Sequence, residues 1–248
     1  MTARRDIRIG VGGWTFEPWR GVFYPDGLAQ RRELEFASRK LTSIEINGTY
    51  YGSQKPASFV KWHDETPDDF VFALKAPRFA TNRRVLAEAG PSIERFFASG
   101  VMELRDKLGP INWQFMATKK FDPDDFTAFL QLLPKTVDGK AIRHAVEVRH
   151  ESFHTPAFTA LARDHGVAVV FAGDSDYPKF TEPTAPFVYA RIMGTTEPAG
   201  YADTDLDAWA GQVEEWAAER DVFLYVISGF KPSNPATATA LIERVTRR

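Results

Sequence analysis

The chain has 248 residues, 44% of them hydrophobic, no cysteine and a net charge of −2, which suits a domain with a large buried core and excludes a generally basic nucleic-acid coat. The lack of cysteine excludes disulfide frameworks and thiolate–zinc sites, and 13% aromatic residues with 16 scattered prolines exclude disordered, collagen-like and coiled-coil chains. No apolar run reaches the ~18 residues of a membrane span, and the opening Met1-Thr2-Ala3-Arg4-Arg5 lacks a signal-peptide core, so one cytoplasmic domain over residues 1–248 with no membrane partner is expected.

Eight short apolar runs read as strands: Ile7 to Gly12, Ser43 to Asn47, Phe70 to Lys75, Ile111 to Gln114, Ala145 to Arg149, Val167 to Ala172, Phe187 to Arg191 and Val222 to Ile227. Most are followed by a segment of helical period. Ile93, Phe96, Phe97, Val101 and Leu104 fall on one helix face, as do Leu206, Trp209, Val213 and Trp216. Asp122-Pro123, Thr155-Pro156 and Asn234-Pro235 each place a capping side chain before a proline at the first helical position. Repeated strand–helix units at this length predict a TIM-like (β/α)8 barrel, with a doubly wound open sheet as the competitor. Between Ala172 and Phe187 the prolines and short span leave little room for a helix, so the helix after strand six is expected to be missing or rudimentary. The aromatic, Gly-rich stretch from Gly12 to Leu28 reads as a functional loop or as packing over a barrel mouth.

Strand alternation locates the chemistry. In Ser43-Ile44-Glu45-Ile46-Asn47 the isoleucines face the helices, so Glu45 and Asn47 point into the barrel. The same parity sends Glu147 and Arg149 inward, and pairs Tyr189 with Arg191. Lys75 and Gln114 end their strands, and Asp174 lies just past Ala172. Charges inside a barrel are costly unless paired or functional, and strand C-termini are where barrel sites are built. Lys75, Arg149 and Arg191 against Asp174 leave the outer layer positive, which suits a phosphate- or carboxylate-bearing ligand. Glu45, Glu147 and Asp174 are the candidates for proton transfer. Asn47, Gln114 and His150 are the candidates for orienting the ligand, with Trp14 and Tyr50 as pocket walls. For Glu45 and Glu147, simple neutralisation of neighbouring cations is an equal reading.

Rival chemistries are weaker. Glu45 and Glu147 would make a poor glycosidase pair, because three nearby cations hold both acids ionised. His150-Glu151-Ser152-Phe153-His154 matches a zinc-protease motif in letters but follows a strand directly, so it is expected in a loop rather than on the helix that the motif requires. Arg78, Arg83 and Arg84, close to Lys75 and to aromatic residues, keep a nucleic-acid-binding reading open. A non-catalytic ligand sensor is the third alternative.

Gly13-Trp14, Trp19-Arg20-Gly21-Val22-Phe23-Tyr24-Pro25, Glu45-Ile46-Asn47-Gly48-Thr49-Tyr50-Tyr51, Phe70 to Pro77, Leu108-Gly109-Pro110 to Gln114, Glu147-Val148-Arg149-His150 and Tyr189 to Gly194 together resemble the YecE-like family, catalogued as domain of unknown function 72. The resemblance covers almost the whole chain. It implies a TIM-like barrel and makes His150 part of a family block rather than of a metal motif. It supplies no reaction, substrate or cofactor. Ser228 to Asn234 departs from the family's pattern of Asn and His after the last strand, which implies that strand eight's polar groups are reduced or displaced.

Overall fold

The computed structural model describes residues 5–194 and 200–246. Its main sheet has eight strands, numbered here β1 (Ile7–Gly12), β2 (Ser43–Ile46), β3 (Val71–Lys75), β4 (Leu108–Gln114), β5 (His144–Glu147), β6 (Ala168–Val169), β7 (Phe187–Ile192) and β8 (Asp221–Val226). All neighbours pair in parallel, and β1 joins β2 on one side and β8 on the other. The ring closes between β6 and β7 through a single bridge, Phe171 to Ala190. There Phe171 N–H donates to the Tyr189 carbonyl (2.8 Å) and Arg191 N–H to the Phe171 carbonyl (2.8 Å). The open-sheet alternative is thereby excluded.

The eight expected strands are all present, with shifted ends. β4 starts earlier, at Leu108, and β6 is much shorter than the Val167 to Ala172 run. The cause at β6 is a change of partner. Val170 N–H still reaches back to Val146 (2.9 Å), whereas Phe171 already pairs with Tyr189. No helix lies between β6 and β7, as the prolines there predicted. The outer face is covered instead by Phe180 and by Trp216, whose ring sits 5.0 Å from Phe171.

Three of the helices that return the chain test the capping and periodicity arguments. Asp122 accepts from the backbone N–H groups of Asp124 and Asp125 at the start of the helix Pro123–Leu132. Thr155 accepts from Phe158 N–H at the start of Pro156–Asp164. Asn234 departs from this expectation. It is itself helical, and its Oδ1 accepts a hydrogen bond from the Ser228 hydroxyl instead of capping. The long amphipathic face proposed for Ile93 to Leu104 is also broken. The α-helix ends at Ala98, Gly100 sits at φ +102°, and Val101–Lys107 continues as 3-10 turns. The buried side chains of that face survive the break because Val101 and Leu104 are fully enclosed. No helix among the described residues is long and apolar enough to cross a membrane.

The barrel interior is layered. Phe187 and Phe223 fill the N-terminal end under the Arg143 guanidinium, 4.7 Å from the Phe223 ring. Above them Tyr225 shares a hydrogen bond with Ser43 (2.8 Å), beside Tyr189. The next layer is charged and forms the floor of the site described below.

One buried group outside the barrel lumen makes stability depend on pH. His144 on β5 accepts a hydrogen bond from Trp113 Nε1 (3.0 Å), and its Nε2 lies 2.8 Å from the Pro134 carbonyl. Burial holds its pKa down from 6.5 to about 4. The unfolded chain therefore binds this proton at a pH where the folded chain does not, so stability falls as pH drops from about 6.5 toward 4. The full effect is about 3 kcal/mol. Urea midpoints at pH 7, 5.5 and 4.5 should show this loss, and His144→Asn should remove its share of the slope. An unchanged slope in the variant would contradict the assignment.

Candidate functional site

The strand C-termini carry a charged layer assembled from four strands. Arg191 on β7 donates from Nη1 to Glu147 Oε2 (2.6 Å) and from Nη2 to Glu45 Oε1 (3.0 Å). It thus bridges β5 and β2 across the lumen. Arg149 donates from Nε and Nη2 to Glu147 Oε1 (2.8 and 2.5 Å) and from Nη2 to Gln114 Oε1 (3.0 Å). The Arg149 guanidinium also stacks on Tyr177, 4.4 Å from the ring centre. Tyr189 donates its hydroxyl to Glu45 Oε2 (2.5 Å), and Asn112 donates to Glu147 Oε2 (3.1 Å). Glu45, Glu147 and Arg191 are all buried.

These contacts decide the protonation states. Burial alone would raise the Glu147 pKa, but the charges of Arg191, Arg149 and Lys75 outweigh it and hold the carboxyl at about 2. Burial likewise opposes charge on Arg191, and Glu147 and Glu45 reverse this and push its pKa above the ordinary arginine value. The Tyr189 hydroxyl is pushed up by burial and by Glu45, so it stays protonated as a donor.

Lys75 ends β3 in this layer and is different. Its side chain is buried, at 8% exposure. Its ammonium has no hydrogen-bond or ion-pair partner among the described residues. Its near neighbour is the Tyr50 ring, 4.7 Å away. Burial, then the Arg191 charge, lowers its pKa from 10.5 to about 8, against the opposing pull of Glu45 and Glu147. Two carboxylates against three cations leave one positive charge uncompensated, and the geometry locates it on Lys75.

Above this floor opens a cavity of about 600 Å3 lined by Lys75 and Arg191, by Trp14, Phe16 and Trp62, and by Asn47, Gln54, Lys231 and Asn234. The stretch from Gly12 to Leu28 packs over the barrel mouth. Trp19 and Tyr24 are buried, and the Tyr24 hydroxyl donates to the Trp14 carbonyl. Meanwhile Trp14, Thr15 and Phe16 form one wall of the cavity. Trp19 Nε1 donates to the Lys231 carbonyl (2.9 Å), tying this wall to the segment after β8. The Lys231 ammonium lies 5.6 Å from the Phe16 ring, at the rim.

The predicted site residues therefore separate into three groups. Lys75, Arg191, Asn47 and Trp14 line the cavity, with Tyr50 against Lys75. Glu45, Glu147, Gln114 and Arg149 form the network beneath and beside it. Asp174 and His150 stand apart from the cavity lining. Asp174 accepts from Met193 N–H (2.7 Å) and from the Tyr201 hydroxyl. His150 Nδ1 accepts from Ser152 N–H (3.0 Å), capping the 3-10 turn Glu151–Phe153. The zinc-protease spelling thus lies across a short 3-10 turn, as expected, with His154 stacked edge-on against Phe180.

Strand parity also carries Asn112, two residues before Gln114, which the sequence reading passed over. Gln54, Trp62, Lys231 and Asn234 had no local signal, since they reach the mouth through loops and a helix. The altered block after β8 does supply polar groups: Ser228 holds Asn234, and Lys231 and Asn234 both line the cavity.

Gly12 is set by the same geometry. A Cβ there would lie 2.6 Å from Asn47 Nδ2, the end of a side chain that can move. Gly12→Ala should therefore fold with little loss of stability but displace the Asn47 amide. Urea unfolding should then place the variant close to the original chain, and a large loss of stability would show that the Asn47 amide cannot move aside.

A family model described as "Protein of unknown function DUF72" matches residues 8–248. The UPF0759 protein YecE of Escherichia coli is 29% identical over 150 residues, covering 59% of this chain and 50% of that protein. The UPF0759 protein YunF of Bacillus subtilis is 27% identical over 158 residues, covering 61% and 54%. The chain spans about half the length of these curated relatives in the matched region. Among crystal structures, a DUF72 family protein from Thermotoga maritima superposes with a TM-score of 0.80 at 21% identity, over 98% of this chain and 100% of that one. A D-psicose 3-epimerase from Clostridium cellulolyticum gives 0.57 at 10% identity, over 97% and 98%. At these identities the structural likenesses establish the barrel fold.

Proposed function

This chain belongs to the DUF72 family, and from its barrel mouth we propose that it is an enzyme acting on a small anionic ligand, phosphate- or carboxylate-bearing, bound in the aromatic cavity above Lys75. The observation that carries this reading is the buried Lys75 ammonium, which faces a cavity of about 600 Å3 without an anionic partner of its own. A desolvated, unpaired cation is unfavourable in the protein alone and gains most from a ligand that neutralises it. Trp14, Phe16 and Trp62 supply apolar and stacking surface, while Asn47, Gln54 and Asn234 supply directional hydrogen bonds.

The same geometry narrows the expected roles. Glu45 and Glu147 are saturated by guanidinium, hydroxyl and amide donors. Their task in this reading is to hold Arg191 and Arg149 and to set the field at Lys75. Lys75, rather than Glu147, is then the group poised to exchange a proton near neutral pH. Asp174 fixes the loop beside β7 rather than touching the ligand.

Titration with inorganic phosphate, 3-phosphoglycerate and glycerol, followed by Trp14 and Trp62 fluorescence, tests this. Saturable binding of the anions, with glycerol inert, is the expected result. Equal response to the neutral compound, or none to either anion, would overturn it.

A second reading has one observation in its favour. Tyr51 and Phe79 are exposed beside the mouth, at 64% and 58%, with the Arg78 guanidinium 5.9 and 5.6 Å from their ring centres. Such a platform can stack bases and contact phosphates. Arg83 is turned away, donating to the Phe79 carbonyl and to Ser92. A single-stranded oligonucleotide should then shift in a salt-sensitive way that Arg78→Ala weakens. No shift at low salt would remove this reading.

A further inference from the structure

We propose that Lys75 forms an imine with the carbonyl carbon of a small anionic aldehyde or ketone held in this cavity. The inference deepens the anion reading of the same site and rests on it: the ligand class becomes an anion that also carries a reactive carbonyl.

Two surroundings activate a lysine amine as a nucleophile, namely an apolar pocket that desolvates the ammonium and a neighbouring cation that repels it. Lys75 has both. Its side chain is enclosed to 8% exposure, with the Tyr50 ring at 4.7 Å and Trp14 and Trp62 in the cavity wall. Arg191 shares the cavity lining. The charged groups acting on Lys75 are Arg191 from β7, Glu45 from β2, and Glu147 and Arg149 from β5 and its end. Both carboxylates are already engaged by guanidinium groups, so neither forms an ion pair with the Lys75 ammonium. The resulting pKa of about 8 leaves a free-amine fraction at neutral pH roughly 300-fold above that of an ordinary lysine. A buried structural lysine would instead be paired, as Lys107, at the end of the 3-10 turns before β4, is with the carbonyls of His63 (2.6 Å) and Thr66 (2.8 Å).

The step balances within the site. The neutral amine attacks the carbonyl carbon and a C–N bond forms. The carbonyl oxygen then leaves as water, taking both amine protons, and a C=N bond remains. Protonation of that nitrogen gives an iminium, which restores the positive charge at the cavity floor beside the ligand's anion. Lys231, which lines the same cavity with its ammonium 5.6 Å from the Phe16 ring, supplies a second cation for the ligand's anionic group while Lys75 takes the carbonyl. No oxidant, reductant or further reactant is needed.

Reductive trapping tests the assignment on the intact chain. The protein is treated with pyridoxal 5′-phosphate and then borohydride, and the modified lysines are mapped by peptide mass. Lys75 should be labelled at least tenfold faster than the exposed Lys40 and Lys55, with a rate that half-saturates near pH 8. Pyridoxal, lacking the phosphate, should label it more slowly. Labelling of Lys75 no faster than of Lys40 and Lys55 overturns the imine. Lys75→Arg, which has no primary amine at this position, should lose the cavity adduct. Phosphate binding without selective Lys75 labelling in the unsubstituted protein would leave the anion site and refute the imine. Selective labelling with no phosphate binding would refute the anion reading instead.

Discussion

Replacing Arg191 with methionine should cost about 3–5 kcal/mol of folding stability, the scale expected when one partner of a buried ion pair is removed. The reason lies in what stays behind. Arg191 bridges Glu45 (3.0 Å) and Glu147 (2.6 Å), all three buried. Without it Glu147 still has Arg149 at 2.5 Å, but Glu45 keeps only the Tyr189 hydroxyl (2.5 Å) and a distant Asn112 amide (3.5 Å). Glu45 therefore becomes a buried carboxylate with no cation in contact, and most of the loss is assigned to it. Arg191→Lys should recover only part of the loss, because one ammonium cannot reproduce the two-armed bridge. Urea unfolding reads both. In Arg191→Met, a second substitution, Glu45→Gln, should restore stability by removing the stranded charge. If the double variant is no more stable than the single one, the bridge is not what holds the layer together.

Lys75→Met should do the opposite to stability and the same damage to binding. The unfolded chain holds this proton more tightly, with a pKa of 10.5 against about 8 in the fold. The folded state therefore carries a penalty that is complete below pH 8 and is relieved as pH rises from about 8 to 10.5. That difference corresponds to up to about 3 kcal/mol at pH 7, and methionine removes it while keeping most of the buried volume. The variant should melt no lower than the original chain, and its stability should no longer rise between pH 8 and 10.5. Anion affinity should fall 10- to 100-fold, the value of a charge-assisted hydrogen bond of about 1.5–3 kcal/mol. Calorimetric titration with phosphate and thermal melts check both halves. A stabilised variant that binds as well as the original would refute the anion site, and a strongly destabilised one would show that Lys75 has a structural partner.

These two residues look alike in the sequence. Each is a cation at the C-terminal end of an apolar run, and each has the parity or position of a mouth residue. Opposite consequences follow from what surrounds each of them in space. Arg191 meets carboxylates from β2 and β5, whereas Lys75 meets a tyrosine ring and an open cavity. Arg149 shows the same point from the other side. It resembled a free anion-binding group, yet its guanidinium is committed to Glu147, Gln114 and Tyr177.

By itself the sequence determined the eight strand positions, the absent helix after β6, the inward direction of Glu45, Glu147, Tyr189 and Arg191, and the loop setting of His150 to His154. Each follows from local rules: side-chain alternation along a strand, proline's missing N–H, and the helix that a metal-binding spacing requires. Only the tertiary structure decided which charges cancel, because Glu45, Lys75, Glu147 and Arg191 come from four strands and ion pairing depends on distances that no local pattern encodes. It also decided that Gln54, Trp62, Lys231 and Asn234 complete the cavity, since segments after β1, β2 and β8 meet only once the ring has closed. Counting charges set Lys75, Arg149 and Arg191 against Asp174, whereas in the structure Glu45 and Glu147 pair with both arginines and leave Lys75 as the member of the three without an ion pair.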